Sequence, residues 1–372
     1  EEEVEVIEDP AATILPGLID AHVHLAFRSE LPSSPEIVKH LLGSSQGVMA
    51  IQILRNAQDA LRAGITTVRD CGARGLSVLE VRDAIGAGMV AGPRILACGM
   101  PVTTTAGHLH WCGLEADGVD EVRKMTRWLI KSGADFIKVM STGGGMTPGS
   151  NSLRAQYSVE ELAAIAQEAH RLGKHVAAHA NGTEGIRNSV RAEIDGVEHC
   201  HWQTMEGEDY DPEVVAQMVE QGTFLDKNPH VSSARGLPAP ELETWVEKAH
   251  DALRRHLQMI AAGVRLVLCT DAGTSRTSFD TLPWVVALAP ALLDIEPMQA
   301  IASSTSLPAL ELGLQEEVGT IEPGKCADLI LVRGNPLEDP FCLTRVEKVF
   351  KDGVEAASRG RLCSPGQPLV NP

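Results

Sequence analysis

Aromatic residues are scarce in this chain: six Phe, two Tyr and five Trp among 372 residues. Hydrophobic residues still make up 44% of it. The apolar content is therefore carried by small and aliphatic side chains, which suits close helix-on-sheet packing better than a β-sandwich. Basic residues are also short, 32 Lys and Arg against 50 Asp and Glu, for a formal charge of −18. A nucleic-acid binder needs a basic footprint, so neither nucleic acid nor an anionic membrane surface is expected as a partner. No stretch approaches the roughly 20 apolar residues of a membrane helix. The cysteines, Cys71, Cys98, Cys112, Cys200, Cys269, Cys326, Cys342 and Cys363, form no C-x-x-C pair. That scatter reads as free, mostly buried thiols in a reducing, cytoplasmic compartment. The first ten residues are acidic, unlike a signal peptide. A start at Glu1-Glu2-Glu3 leaves room for a native N-terminal segment ahead of it.

What the chain has in abundance is alternation. Strand-like runs at Ile19–His24, Ile65–Asp70, Arg94–Cys98, Ala134–Met140, His175–His179, Asp195–His199, Thr223–Asp226 and Val264–Asp271 are separated by helix-period segments. Eight strands with intervening helices predict an α/β chain folded as a (β/α)8 TIM barrel, for which ~250 residues is typical. An open doubly wound sheet would want a Gly-rich nucleotide turn after its first strand, and none is present. Single helices are expected over Glu241–Ala262 and Pro297–Leu312. The texture then changes to short strands joined by Gly/Pro turns, at Val318–Lys325, Ala327–Val332 and Val346–Gly353. With the alternating Val4–Ile7 from the other end of the chain, they predict a small β-sandwich domain. The expected organisation is residues 1–10 and 315–360 in that domain, 11–314 in the barrel and 361–372 as a tail.

In Ile19-Asp20-Ala21-His22-Val23-His24 two histidines stand at i and i+2, so both face one way from a strand. Alone, such a pair is as often coincidence as site. In a barrel, however, the C-terminal strand ends converge on the active site, and those ends carry His22 and His24, Lys138, His179, His199 and Asp271. Lys138 lies inside Phe136-Ile137-Lys138-Val139-Met140, where an unpaired ammonium is costly to bury. It is either paired with a carboxylate or converted to a carbamate that bridges two cations. Asp271 is a structural turn residue or a metal ligand that also takes a proton from water.

Pro16-Gly17-Leu18-Ile19-Asp20-Ala21-His22-Val23-His24, Ile137-Lys138-Val139, His179, Glu198-His199, Thr270-Asp271-Ala272-Gly273 and the closing Gly319-Thr320-Ile321-Glu322-Pro323-Gly324-Lys325 resemble the metal-dependent amidohydrolase superfamily. Gly107-His108-Leu109-His110, Glu115-Ala116-Asp117-Gly118, Ser141–Gly149 and Ala180-Asn181-Gly182 resemble its branch near imidazolonepropionases, which includes Xaa-Pro dipeptidases, related carboxypeptidases and ochratoxin-type amidases. The resemblance implies two divalent metal ions, commonly Zn2+. His22, His24 and Asp271 would hold one, His179 and His199 the other, and Lys138, carboxylated by carbon dioxide, would bridge them. It further implies attack by metal-bound hydroxide, Asp271 as the catalytic base, and a homo-oligomer. By the same resemblance His108 and His110 contact the substrate. His230, in Asn228-Pro229-His230, stands where relatives often carry a substrate-binding tyrosine.

His201 either enters the pocket or belongs to a loop. His175 sits at the far end of its strand, and His40, His170, His250 and His256 read as helix-surface residues. Gly143-Gly144-Gly145 lacks the Gly-Lys-Ser/Thr ending of a P-loop and reads as a mobile loop over the pocket. The expected function is cleavage of the C-terminal amide of a dipeptide or N-acyl amino acid, a small-molecule substrate. Hydrolysis of a xenobiotic amide, carbamate, ester or lactone is the alternative on the same scaffold. A non-catalytic assembly protein is the remote one.

Overall fold

Proline at 16 and glycine at 17 divide the first motif between two sheets. The computed structural model describes residues 8–274 and 276–363. Strand β1 (Ala12–Pro16) pairs antiparallel with Leu329–Arg333, whereas β2 (Leu18–Val23) begins the parallel structure. Pro16 ends the first ladder because it has no N–H to donate. Gly17 crosses so closely over Thr66 that a Cβ there would lie 2.1 Å from its Oγ1.

Parallel strands follow in chain order: β3 (Ile65–Asp70), β4 (Arg94–Ala97), β5 (Val102–Thr103), β6 (Leu114–Glu115), β7 (Ile137–Met140), β8 (Val176–Gly182) and β9 (Gly196–Thr204). After β10 (Gly207–Glu208), which folds back on β9, come β11 (Phe224–Lys227) and β12 (Arg265–Leu268). One sheet runs β12-β11-β9-β8-β7-β5-β6 and another β2-β3-β4. Hydrogen bonds link them. Beyond β12, Asp271 N donates to His22 O (2.9 Å) and His24 N to Ala272 O (2.7 Å), and Asp135 N donates to Ala97 O (2.9 Å) beside β7. The result is an α/β fold with helices between parallel strands. The helix Val159–Arg171 starts at a Ser158/Glu161 capping box.

Three helical stretches come as pairs, two of them where single helices were expected. The segment after Pro35 divides into Ser34–Gly43 and Gln46–Arg62, interrupted by Gly43-Ser44-Ser45. Glu241–Ala262 divides at Leu253. Pro297–Leu312 divides into Pro297–Ala302 and Ser306–Glu311, where Thr305 Oγ1 donates to Ile301 O (2.7 Å) and Ser304 Oγ to Ala300 O (3.2 Å). Such back-bonding competes with the helix ladder.

The small sheet is β1, then β13 (Leu329–Arg333), β14 (Val346–Lys351), β15 (Val354–Ser358) and β16 (Arg361–Leu362). Its N-terminal strand is Ala12–Pro16, in the stretch assigned from sequence to the barrel; Val4–Ile7 lies outside the described residues. Val318–Lys325 forms no strand. Gly319, at φ 94°, turns against the Ser306–Glu311 helix so tightly that a Cβ would meet that of Ala309 at 2.6 Å. The eight cysteines are free, and no described helix is long and apolar enough to cross a membrane.

Candidate metal centre

The strand ends converge. A cavity of about 330 Å³ is lined by His22, His24, Lys138, His179, His199 and Asp271. His22 and His24 share a face as the i, i+2 spacing requires, their ring centroids 5.3 Å apart. His199 lies 5.4 Å from His22 and 4.7 Å from His179 by ring centroid. Asp271 Oδ1 is 3.5 Å from His22 Nε2 and 3.4 Å from His24 Nε2. A tetrahedral ion with bonds of about 2.05 Å spaces its ligand atoms about 3.3 Å apart, so Asp271 stands at ligand spacing from each of the two histidines.

For two of the histidines the outer partners occupy Nδ1. His24 Nδ1 donates to Gly72 O (3.1 Å) and His199 Nδ1 to Asn228 Oδ1 (2.9 Å), which leaves both Nε2 atoms as acceptors. His22 Nδ1 is buried without a hydrogen-bond partner. Burial pushes the pKa of His22 and His179 well below the usual value and that of His199 down to about 4. All three are neutral near pH 7, the form that ligates a cation. Burial opposes the charge on Asp271, but the His24, His199 and His230 imidazoles outweigh it and hold the carboxyl below its usual range.

Lys138 is 1% exposed, and its amine donates to Glu198 Oε2. Burial lowers its pKa. Glu198, itself fully buried, is the site residue that the sequence reading passed over. Ligand atoms of His179, Glu198 and His199 lie within 4.8 Å of one another, as do those of His22, Cys71 and Glu198, and of His22, His199 and Asp271. Strand alternation would send Glu198 and His199 to opposite faces. His199 escapes it by adopting a left-handed φ of 67°, followed by Cys200 at 47°. The buried His256, expected on a helix surface, supports that backbone: its Nε2 donates to His199 O at 2.7 Å.

Of the expected substrate residues, His108 and His230 line the cavity and His110 does not. His108 is buried, 4.6 Å from the His179 ring, with a pKa pushed down to about 3 by burial. The chain reverses at Leu109, φ 57°, so His110 emerges exposed instead of sharing a face with His108. His201 also reaches the cavity. Gly144 packs against His108 so closely that a Cβ would fall 2.3 Å from its Nε2, and Gly143 O lies 3.1 Å from His179 Nε2. The glycines are there for close approach.

The chain matches the model of the amidohydrolase family over residues 13–356. It is 30% identical to ochratoxinase of Aspergillus niger over 369 residues, covering 88% of this chain and 71% of that one. It is 24% identical to imidazolonepropionase of Mesorhizobium japonicum, covering 88% and 79%. Among solved structures it superposes on a Xaa-Pro dipeptidase with bound methionine in the active site, with a TM-score of 0.78, 30% identity and coverage of 93% of this chain and 87% of that one. It also superposes on A. niger ochratoxinase, with a TM-score of 0.79, 28% identity and coverage of 96% and 86%. With the strand-end side chains gathered in one cavity and a family match over nearly its whole length, this chain belongs to the amidohydrolase family and is a hydrolase of amide bonds.

Proposed function

We propose that the chain is a binuclear zinc amidohydrolase that releases a C-terminal amino acid from a dipeptide or an N-acyl amino acid. The two parallel sheets are read as arcs of one (β/α)8 barrel, with the small sheet as part of a β-sandwich formed by both chain ends. The observation that carries the reading is the convergence of His22, His24, Asp271, His179 and His199 in one cavity, with Asp271 at ligand spacing from both His22 and His24. A similar Xaa-Pro dipeptidase with methionine in its active site supports an amino acid as the leaving half.

His22, His24 and Asp271 would hold one ion, and His179 and His199 the other. When bound, divalent metal supplies a more acidic water and polarisation of the scissile carbonyl. Lys138, its pKa lowered by burial, keeps a larger share of the neutral amine that can attack carbon dioxide, and would give up one N–H proton to water on forming a carbamate able to hold metal. Asp271 accepts the proton of the attacking water at a carboxylate oxygen and returns it to the departing amine. His108 and His230, both neutral side chains on the cavity wall, orient the substrate.

The likeness to ochratoxinase favours a second reading, hydrolysis of a xenobiotic amide at the same residues. The test is a mass-spectrometric screen of zinc-loaded protein, prepared with bicarbonate, against pooled dipeptides and N-acyl amino acids, with a chelated control. Chelator-sensitive release of C-terminal amino acids is the expected result. No release from protein shown to hold two metals would remove the peptidase reading and leave xenobiotic amides, carbamates, esters and lactones.

A further inference from the structure

A second hollow, about 260 Å³, lies beside the metal cavity and shares His201 and His230 with it. Lys227 forms part of its wall. Alternation along β11 turns Asp226 to Arg69 and sends Lys227 to the opposite face. There Lys227 is only 2% exposed, and among the described residues its amine has no hydrogen bond or ion pair. The Nδ1 of His256, on the same wall, is also buried without a partner. The carboxylate in the wall, Glu208, is already taken by Arg254 and Arg255.

A buried ammonium without a counter-charge is not a stable arrangement, and the one carboxylate on this wall is held by two arginines. The missing component is an anion. The hollow shares two wall residues, His201 and His230, with the metal cavity, which sets it beside a substrate bound there. We propose that this hollow receives the free carboxylate of the substrate's leaving half, with Lys227 as its counter-charge and His201 beside it. The assignment rests on the amidohydrolase reading above. It makes Lys227 a specificity residue that distinguishes an acid from its amide.

The test separates the two ideas because it measures binding, with no turnover required. The zinc-loaded protein is titrated calorimetrically at pH 7 with the free L-amino acids, each beside its carboxamide, using wild type and Lys227→Met. The expected result is at least tenfold tighter binding of one or more acids than of the matching amide, falling below twofold in Lys227→Met with amide affinity retained. The retained amide affinity is what a merely structural role for Lys227 would not give. Equal affinity of wild type for acid and amide, no acid bound, or a preference that survives Lys227→Met would each overturn the assignment. Lys227→Gln, which keeps the stem and a donor but not the charge, replaces the methionine variant if that one does not fold. The hydrolase reading stands or falls separately, on turnover in the screen.

Discussion

His199, Asp271 and His230 hold φ values of 67°, 59° and 52°, a left-handed region that side chains other than glycine rarely occupy. That three residues on one cavity wall share this rarity is backbone strain of the kind that persists where geometry is functionally constrained. For Asp271 it sets up a clean experiment. Asparagine is among the residues best tolerated in this conformation, so Asp271→Asn removes the charge and the base without adding strain. With His22 and His24 untouched, the variant is expected to keep its fold and much of its metal while kcat falls about 10²- to 10⁴-fold, the range for loss of a general base. Steady-state kinetics with metal analysis on the same preparation check this. Near-native kcat in a metal-loaded variant would mean the base is elsewhere.

At the scale of elements, the Gly143–Gly145 segment shows how a loop fixes a side chain. A Cβ on Gly144 would sit 2.3 Å from the His108 ring, while one on Gly145 would meet nothing within 4 Å. Gly144→Ala must therefore push His108, whose ring lies 4.6 Å from His179. Overpacking of this kind costs about 1–3 kcal/mol. The expected outcome is a fall of roughly tenfold or more in kcat/KM, following that scale of misplacement, with Gly145→Ala close to wild type. Equal behaviour of the two variants would show that His108 is not positioned by this contact. The strands and the gathering of the strand-end side chains in one cavity were legible in the sequence because period-two alternation and strand-end placement are local patterns. Glu198 was not, because alternation fails at His199, where the φ changes sign. Nor was the burial of His256, whose place is set by the His199 carbonyl it serves, 57 residues away in the chain. His110 was misplaced for a related reason, since the i, i+2 rule holds only where the backbone stays extended and Leu109 does not. Helix breaks at Gly43–Ser45 and Thr305 depended on local hydrogen bonding that periodicity does not register.

Across the whole molecule, burial of ionisable groups sets how the metal-free fold responds to pH. Arg69 lies between Asp226 and Glu311 in the interior, 2% exposed, and the start of β9 is glycine because a Cβ at Gly196 would come 2.5 Å from Glu311 Oε1. Even so, burial outweighs Arg69 and raises the Glu311 pKa. Burial likewise raises Asp20 to about 7 and Asp70 to about 6. It lowers His22, His179 and His201, takes His199 to about 4, and takes His108 and His256 to about 3. A lowered histidine contributes stability that is fully present above its unfolded pKa, about 6.5, and is lost as pH falls. A raised carboxyl contributes stability present below its unfolded pKa, about 4, and lost as pH rises through its folded value. The six imidazoles outnumber the three carboxyls between pH 5 and 6.5, at about 1.4 kcal/mol per proton per pH unit. There the unfolded chain binds more protons and stability rises with pH. Above about 7 the imidazoles of the unfolded chain are already neutral, and the carboxyls of the folded one are still losing protons. The Tm of chelated protein is therefore expected to climb steeply from pH 5 to 6.5, reach its maximum near neutrality and decline shallowly toward pH 8. Calorimetric scans at half-unit intervals test this, and a flat profile below pH 6.5 would mean that the histidines around the metal centre are not buried neutral in the metal-free fold.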